Sequence, residues 1–329
     1  MYKRLKHTIY ILFFLVCVPA KAFPQVDNNF LHFIDKFKIF ALHNGISEET
    51  LDLAFNGITE PYPHTIKSVK KQPEFHQTAE DYLSTRLTQA RINQGIEKGQ
   101  ELSKSLKTIE YRFGVDRRII LAIWANETNY GATLRNHSSM LDAVKALTSL
   151  AYYKSHYNKY ARTQLLALLK ILQNQYMSRD ELKSSWAGAM GQTQFIPTSY
   201  LMYGVKLHGE GKGDIINNED DALATAANLL YKNGWKKGQS WIYEISPRDN
   251  TKIMRLQNKS MPLKKWAGLG IHLINSKSLP YSNEIATLKK IDGENPLYLL
   301  TTSNFNVIKA YNKSDLYALS VGLLANRLQ

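Results

Sequence analysis

Gly114-Val115-Asp116-Arg117-Arg118-Ile119-Ile120-Leu121-Ala122-Ile123-Trp124-Ala125-Asn126-Glu127-Thr128-Asn129-Tyr130-Gly131 is a nearly continuous apolar run that ends on a carboxylate. It reads as a helix opened by Gly114 and Asp116 and closed at Gly131. Ile120, Ile123 and Trp124 lie seven, four and three residues before Glu127, so helical spacing sets them on the face that carries the carboxylate. An acid there is expected to ionise with difficulty, because desolvation disfavours the charged form. That is how a protein keeps a Glu protonated for general-acid work near neutral pH. The plainer alternative is that Glu127 turns to solvent as its helix ends, since Glu is seldom fully buried.

A second dense stretch is Ser184-Ser185-Trp186-Ala187-Gly188-Ala189-Met190-Gly191-Gln192-Thr193-Gln194-Phe195-Ile196-Pro197-Thr198-Ser199-Tyr200. Small residues cluster between Ala187 and Gly191 and permit close backbone approach, and Pro197 suits the start of a following helix. Polar Gln194 beside apolar Phe195 has the make-up of a sugar site, in which an amide fixes hydroxyls and an aromatic covers a ring face. Tight helix packing explains the small residues equally well.

Around these stretches the pattern is mainly helical. Phe30, Phe33, Ile34, Phe37, Phe40 and Ala41 recur at spacings of three and four. Leu51, Leu53, Ala54 and Phe55 suggest a second helix, broken at Pro61 and Pro63. Met140–Tyr153 and Leu165–Tyr176 read as two more. Beyond Trp235 the alternation of Trp241-Ile242-Tyr243-Glu244-Ile245 and the Asp292-Gly293 turn before Leu297-Tyr298-Leu299-Leu300 predict a small β-rich insertion over 237–303. Helical spacing returns from about Phe305 to the end. The fold class expected is mainly α (α+β): an N-terminal helical domain at 23–100, a core at 101–236, the insertion, and a C-terminal helix at 304–329 returning to the core.

Composition sets outer bounds. With 329 residues, 44% hydrophobic and 21% charged, the chain is of ordinary globular make-up. Lys3, Arg4, Lys6 and His7 precede an apolar stretch from Ile9 to Val18, and Ala20-Lys21-Ala22 supplies a small-x-small cleavage pattern. Residues 1–22 therefore read as a signal peptide cut before Phe23, which places the protein in the periplasm. Cys17 is the sole cysteine and lies inside that segment, so no disulfide or thiolate metal site is expected. Leu15 and Val16 before it do not suit lipidation, and a lipid anchor is not expected. Removing those residues takes away four basic and no acidic side chains, which lowers the formal charge of +14 to about +10. A basic exported chain suits an anionic cell-wall or membrane partner. Its Lys and Arg are scattered rather than gathered in a stripe, which speaks against nucleic acid.

Taken together these residues resemble the lytic transglycosylases of the bacterial cell wall, specifically the membrane-bound lytic transglycosylase B group. The resemblance rests on Ile120–Gly131 around Glu127, on Ser185–Tyr200, on Asp221-Ala222-Leu223-Ala224 through Ala227-Asn228 to Gly234-Trp235, and on Asn304-Phe305 with Tyr311-Asn312-Lys313-Ser314 and Tyr317-Ala318, in that order along the chain. It implies a lysozyme-like core in which Glu127 is the only catalytic carboxylate, whereas most glycosidases need two. Glu127 would protonate the oxygen between N-acetylmuramic acid and N-acetylglucosamine in peptidoglycan glycan strands. As carboxylate it would then take the proton of the muramic C6 hydroxyl, closing a 1,6-anhydro ring. The resemblance further implies that Ser185 bonds near the N-acetyl group of the muramic residue, that Gln194 and Phe195 line the cleft, and that Tyr311, Asn312 and Tyr317 come from the returning C-terminal helix.

Two departures from the group stand out. Some members carry a calcium loop near Glu210-Gly211-Lys212-Gly213-Asp214, but here Lys212 takes a ligand position and Ile215 the place of the turn glycine, so no metal is expected and Asp221 is read as a helix cap. The leader lacks a lipidation site, which favours a soluble, monomeric periplasmic enzyme without cofactor, with cell-wall assembly proteins as possible partners. A muramidase using water, or a non-catalytic peptidoglycan-binding assembly protein, would fit the same residues.

Overall fold

The computed structural model describes residues 27–63, 78–134, 140–153, 157–246, 255–275, 277–294 and 296–328, so the signal segment read at 1–22 lies outside the described residues. Within them the helices are α1 (Asn28–His43), α2 (Glu48–Phe55), α3 (Ala79–Arg86), α4 (Gln89–Glu101), α5 (Ser103–Phe113) and α6 (Arg117–Thr128). There follow α7 (Ala143–Tyr152), α8 (Asn158–Gln173), α9 (Pro197–Tyr203), α10 (Glu219–Lys232), α11 (Leu263–Gly268), α12 (Ser303–Ile308) and α13 (Asp315–Arg327). Helix starts are set by local chemistry. Asp27, Ser47, Thr78, Thr88, Asp116, Asp142, Asn218, Thr302 and Ser314 each accept a backbone N–H of the turn they open. Each such cap contributes about 1 kcal/mol.

One continuous apolar core takes side chains from Phe30 on α1 through Leu328 at the end of α13. α6 lies at its centre, with every residue from Ile119 to Ala125 buried, so this helix has no polar face along its middle. α4, α5, α10 and α13 pack around it. Of the apolar spacing on α1, Phe30, Ile34, Phe37 and Ala41 are buried as expected, whereas Phe33 is half-buried and Phe40, at 40% exposure, faces outward.

The β-rich region encloses a core of its own, built on Ile245, Leu263, Trp266, Leu288 and Leu300. Its sheet runs β4 (Ser260–Pro262), β6 (Ile285–Ile291), β7 (Leu297–Thr301), β3 (Ile242–Ser246), β5 (His272–Leu273), all antiparallel. β6 and β7 form the hairpin that Asp292-Gly293 predicts, pairing Leu288 with Leu300. A two-stranded ladder, β1 (Leu141–Asp142) with β2 (Lys183–Ser184), sits apart and delivers the chain to Ser185.

Two expectations change. The C-terminal segment is two helices rather than one, because Asn312 accepts the Ser314 N–H at 3.0 Å and Ser314 then caps α13. That break places Tyr311 at the site. Asp221 does not cap α10, whose cap is Asn218; it lies in the first turn and accepts the amides of Leu207 at 2.8 Å and Asp214 at 3.0 Å. The helix starts earlier than the sequence suggests because Asn218 is the better placed capping side chain, which frees the buried Asp221 carboxylate to hold the 205–214 turn.

Candidate active site

Glu127 is the penultimate residue of α6, and the chain turns sharply just after it. Asn129, Tyr130 and Gly131 all take left-handed conformations, with φ of 50°, 56° and 78°. A left-handed tyrosine is costly, and packing holds it. Tyr130 is fully buried, edge-on to Trp124 at 5.7 Å, with its hydroxyl donating to the Arg91 carbonyl at 3.1 Å. Gly131 is needed for space as well as for φ, because a Cβ there would lie 2.5 Å from the Gln192 side-chain oxygen.

Glu127 itself is half-buried. The Tyr317 hydroxyl donates to its Oε1 at 2.6 Å. Tyr317 stands in the first turn of α13 and is 5% exposed. Its ring stacks on Tyr311, with centroids 6.2 Å apart and planes within 8°. Tyr311 in turn donates to the Thr193 carbonyl and receives the Phe195 ring edge-on at 5.5 Å. Burial, and after it the Glu127 charge, pushes both phenols well above their usual range, so they remain hydroxyl donors at any working pH.

The 184–196 loop is fastened to these elements. Thr128, next to Glu127, donates to the Gln192 carbonyl at 2.6 Å, and the Gln192 side chain accepts from the Trp124 indole at 3.2 Å. Met190 and Phe195 pair across the loop. Gly191 has φ 69°, and a Cβ there would sit 2.2 Å from the Ile215 carbonyl oxygen, so the small residues of this stretch serve backbone packing. Ser185 Oγ accepts the amides of Ala187 at 3.3 Å and Ala189 at 3.1 Å, which leaves its own proton to donate.

Of the residues singled out in the sequence, the fold joins Glu127, Tyr317, Tyr311 and Phe195 in one contact chain. Phe195 is 2% exposed, so its ring supports Tyr311 and is covered by protein. Gln194 is left-handed at φ 50° and its amide folds back on the Gly191 carbonyl at 3.0 Å. Ser185 lies at the other end of the same loop. Asn312 is exposed and its side chain is engaged in its own turn.

Thr128, Gln192, Asn126 and Ser320 complete the site and were not singled out. Ser320 donates to the Asn126 side chain at 2.9 Å and so ties α13 to α6 one residue before Glu127. Their signal in the sequence was proximity: two flank Glu127 and one lies in the small-residue loop. Beyond the loop, a cavity of about 770 Å³ opens at Gly131, Gly191 and Gln192.

At the 210–221 turn the polar side chains are engaged within the chain. Lys212 directs its ammonium to the Leu201 carbonyl, Asp214 Oδ1 accepts the amides of Ile216 and Asn217, and both Asp221 oxygens accept amides. Among the described residues no group of three His, Cys, Asp or Glu side chains could hold a metal ion.

A carboxylate at the end of a buried helix, addressed by a tyrosine from a returning C-terminal helix, sits within a mainly helical, lysozyme-like fold. Residues 29–326 match the transglycosylase SLT domain family, SLT_2, and the chain belongs to it. The structure of SltB3 from Pseudomonas aeruginosa in complex with NAG-anhNAM-pentapeptide superposes with a TM-score of 0.83 at 37% identity, over 92% of this chain and 80% of that one. Membrane-bound lytic murein transglycosylase B of Escherichia coli K12 is 28% identical over 247 residues, 73% of this chain, which spans 64% of that relative's length. The Escherichia coli lytic transglycosylase Slt35 in complex with calcium shares the fold at 23% identity, with a TM-score of 0.72 over 92% of this chain and 93% of that one.

Proposed function

We propose that this chain is an exported lytic transglycosylase that cleaves the β-1,4 bond between N-acetylmuramic acid and N-acetylglucosamine in peptidoglycan. The observation that carries the reading is the Tyr317 hydroxyl on Glu127 Oε1, 2.6 Å away, inside a chain that matches the family from residue 29 to 326. A donor on Oε1 favours the carboxyl proton on the other oxygen, from which it passes to the leaving glycosidic oxygen. As that proton leaves, the Tyr317 bond strengthens and stabilises the carboxylate. The carboxylate then takes the proton of the muramic C6 hydroxyl, whose attack on C1 of the same sugar closes the anhydro ring. Using an internal hydroxyl in place of water makes the second step unimolecular.

Asp116 and Asp142 have structural duties. Asp116 caps the far end of α6, roughly 16 Å away at 1.5 Å per residue. Asp142 caps α7 and pairs with Arg179 at 2.6 Å. SltB3 is found in complex with NAG-anhNAM-pentapeptide and with NAG-NAM-pentapeptide, which supports a peptidoglycan glycan strand as the substrate. Export rests on the leader at 1–22, and no helix among the described residues is long and apolar enough to cross a membrane. We take the enzyme to act as a monomer on glycan strands.

Digestion of purified sacculi followed by mass spectrometry tests the reading. Wild-type protein should release muropeptides one water lighter than hydrolytic products, and Glu127→Gln should release none while still binding sacculi. Reducing-end products alone would make the chain a muramidase, and lysis by the Gln variant would remove Glu127 from the acid role.

A further inference from the structure

Four of the five tryptophans, Trp124, Trp235, Trp241 and Trp266, are buried at 8% exposure or less. Trp186 is the exception and remains partly exposed. It follows Ser185 directly, on the loop whose other end reaches Thr128 and Tyr311. Tyr157 packs on its ring edge-on, with centroids 6.1 Å apart, and beneath lies a small apolar cluster of Leu150, Ala151 and Ala161. Tyr160 pins the adjoining backbone by donating to the Ala187 carbonyl at 3.0 Å, and burial raises that phenol to about 12, so the tie persists at any working pH. A large flat ring, fixed in orientation yet left wet at the edge of a glycan-binding loop, loses hydrophobic burial unless a ligand covers it.

The apolar face of an N-acetylhexosamine ring is such a ligand. Phe195, the other aromatic of this loop, cannot serve, because Tyr311 and the core cover it.

We infer that Trp186 is a sugar-stacking residue, which receives an N-acetylhexosamine ring of the glycan strand beside the sugar that Ser185 holds. The inference rests on the glycan-cleaving reading above. With the indole already packed on Tyr157 and the Leu150 cluster, little side-chain entropy is lost on binding. The contribution is to ground-state and transition-state binding alike, so its loss falls mainly on KM.

Iodide quenching of tryptophan fluorescence tests this with the intact protein. Because the other four indoles are buried, the quenchable component should be Trp186 and should vanish in Trp186→Phe. Saturating N-acetylglucosamine tetramer should protect it in the wild type. On sacculi, Trp186→Ala should raise KM roughly tenfold, as for loss of one well-buried aromatic contact, with the smaller share of the effect in kcat, and Trp186→Phe should recover most of it. If the wild type binds tetramer by calorimetry but its quenchable component stays exposed, or if Trp186→Ala keeps the wild-type KM, the ring is only a rim packing residue and the inference fails while the cleavage reading stands. A wild type that neither binds tetramer nor lyses sacculi overturns both. Should Trp186→Ala be poorly folded, the quenching result and the Trp186→Phe KM decide.

Discussion

Replacing Tyr317 by Phe removes one oxygen and leaves the stacked ring in place, so it isolates the contact on which the proposed mechanism turns. The hydroxyl donates to Glu127 Oε1 at 2.6 Å. Hydrogen bonds to charged groups are worth about 1.5–3 kcal/mol, and this one acquires that character only as Glu127 gives up its proton. Taken whole, that range corresponds to roughly 10- to 150-fold in kcat. Glu127 is half-buried, so water can take over part of the donation and the lower end applies. We expect kcat on sacculi to fall about 10- to 30-fold with KM little changed. The ring remains 5% exposed against Tyr311, so stability should drop only about 1 kcal/mol, or about 2–4 °C in Tm. Release of soluble muropeptides gives the rate and calorimetry gives the stability. Combining Tyr317→Phe with Glu127→Gln should cost no more than Glu127→Gln alone, since both residues act on one proton. A Tyr317→Phe enzyme with wild-type kcat and a lowered Tm would reduce Tyr317 to a packing residue and refute the reasoning.

Other consequences follow from the same geometry. Tyr311 and Tyr317 keep their protons well above 10 in the folded protein, while the unfolded chain loses them near 10. Stability from these two groups is thus complete below pH 10 and is lost as pH rises beyond it, by about 1.4 kcal/mol per pH unit for each tyrosine. Urea midpoints measured between pH 9 and 11 should fall more gently in Tyr317→Phe than in wild type. Gly191→Ala places a Cβ 2.2 Å from the Ile215 carbonyl at a left-handed φ, and should cost about 1–3 kcal/mol in urea unfolding. Asp221→Ala strands the buried amide of Leu207 and the half-buried amide of Asp214 and should cost about 2–4 kcal/mol by the same measurement; an unchanged midpoint would mean that water replaces the carboxylate.

Much of the framework is legible from local chemistry. The Asp116 cap, the apolar run to Ala125 and the stop at Gly131 define α6 within three residues, because capping and helical spacing are short-range effects. The β6–β7 hairpin follows in the same way from Asp292-Gly293. The break between α12 and α13 is not legible in the same way, since the Asn312–Ser314 turn interrupts a segment whose helical spacing resumes at once. Phe195 shows a different limit. Next to an amide in a small-residue loop it looks like a ligand platform, yet its exposure depends on Tyr311, which is 116 residues later and docks over it.

What the sequence by itself determined is the set of elements and the candidate for the acid. Periodicity, caps and turns are encoded within a few residues of one another, and a lone carboxylate at the end of an apolar helix is visible without coordinates. What only the tertiary structure decided is the environment of that acid. Tyr317 reaches Glu127 across 190 residues, Thr128 and Gln192 join across 64, and Ser320 ties to Asn126 across 194. Such contacts arise from how buried faces pack, a property of the whole core that no local window of the chain contains.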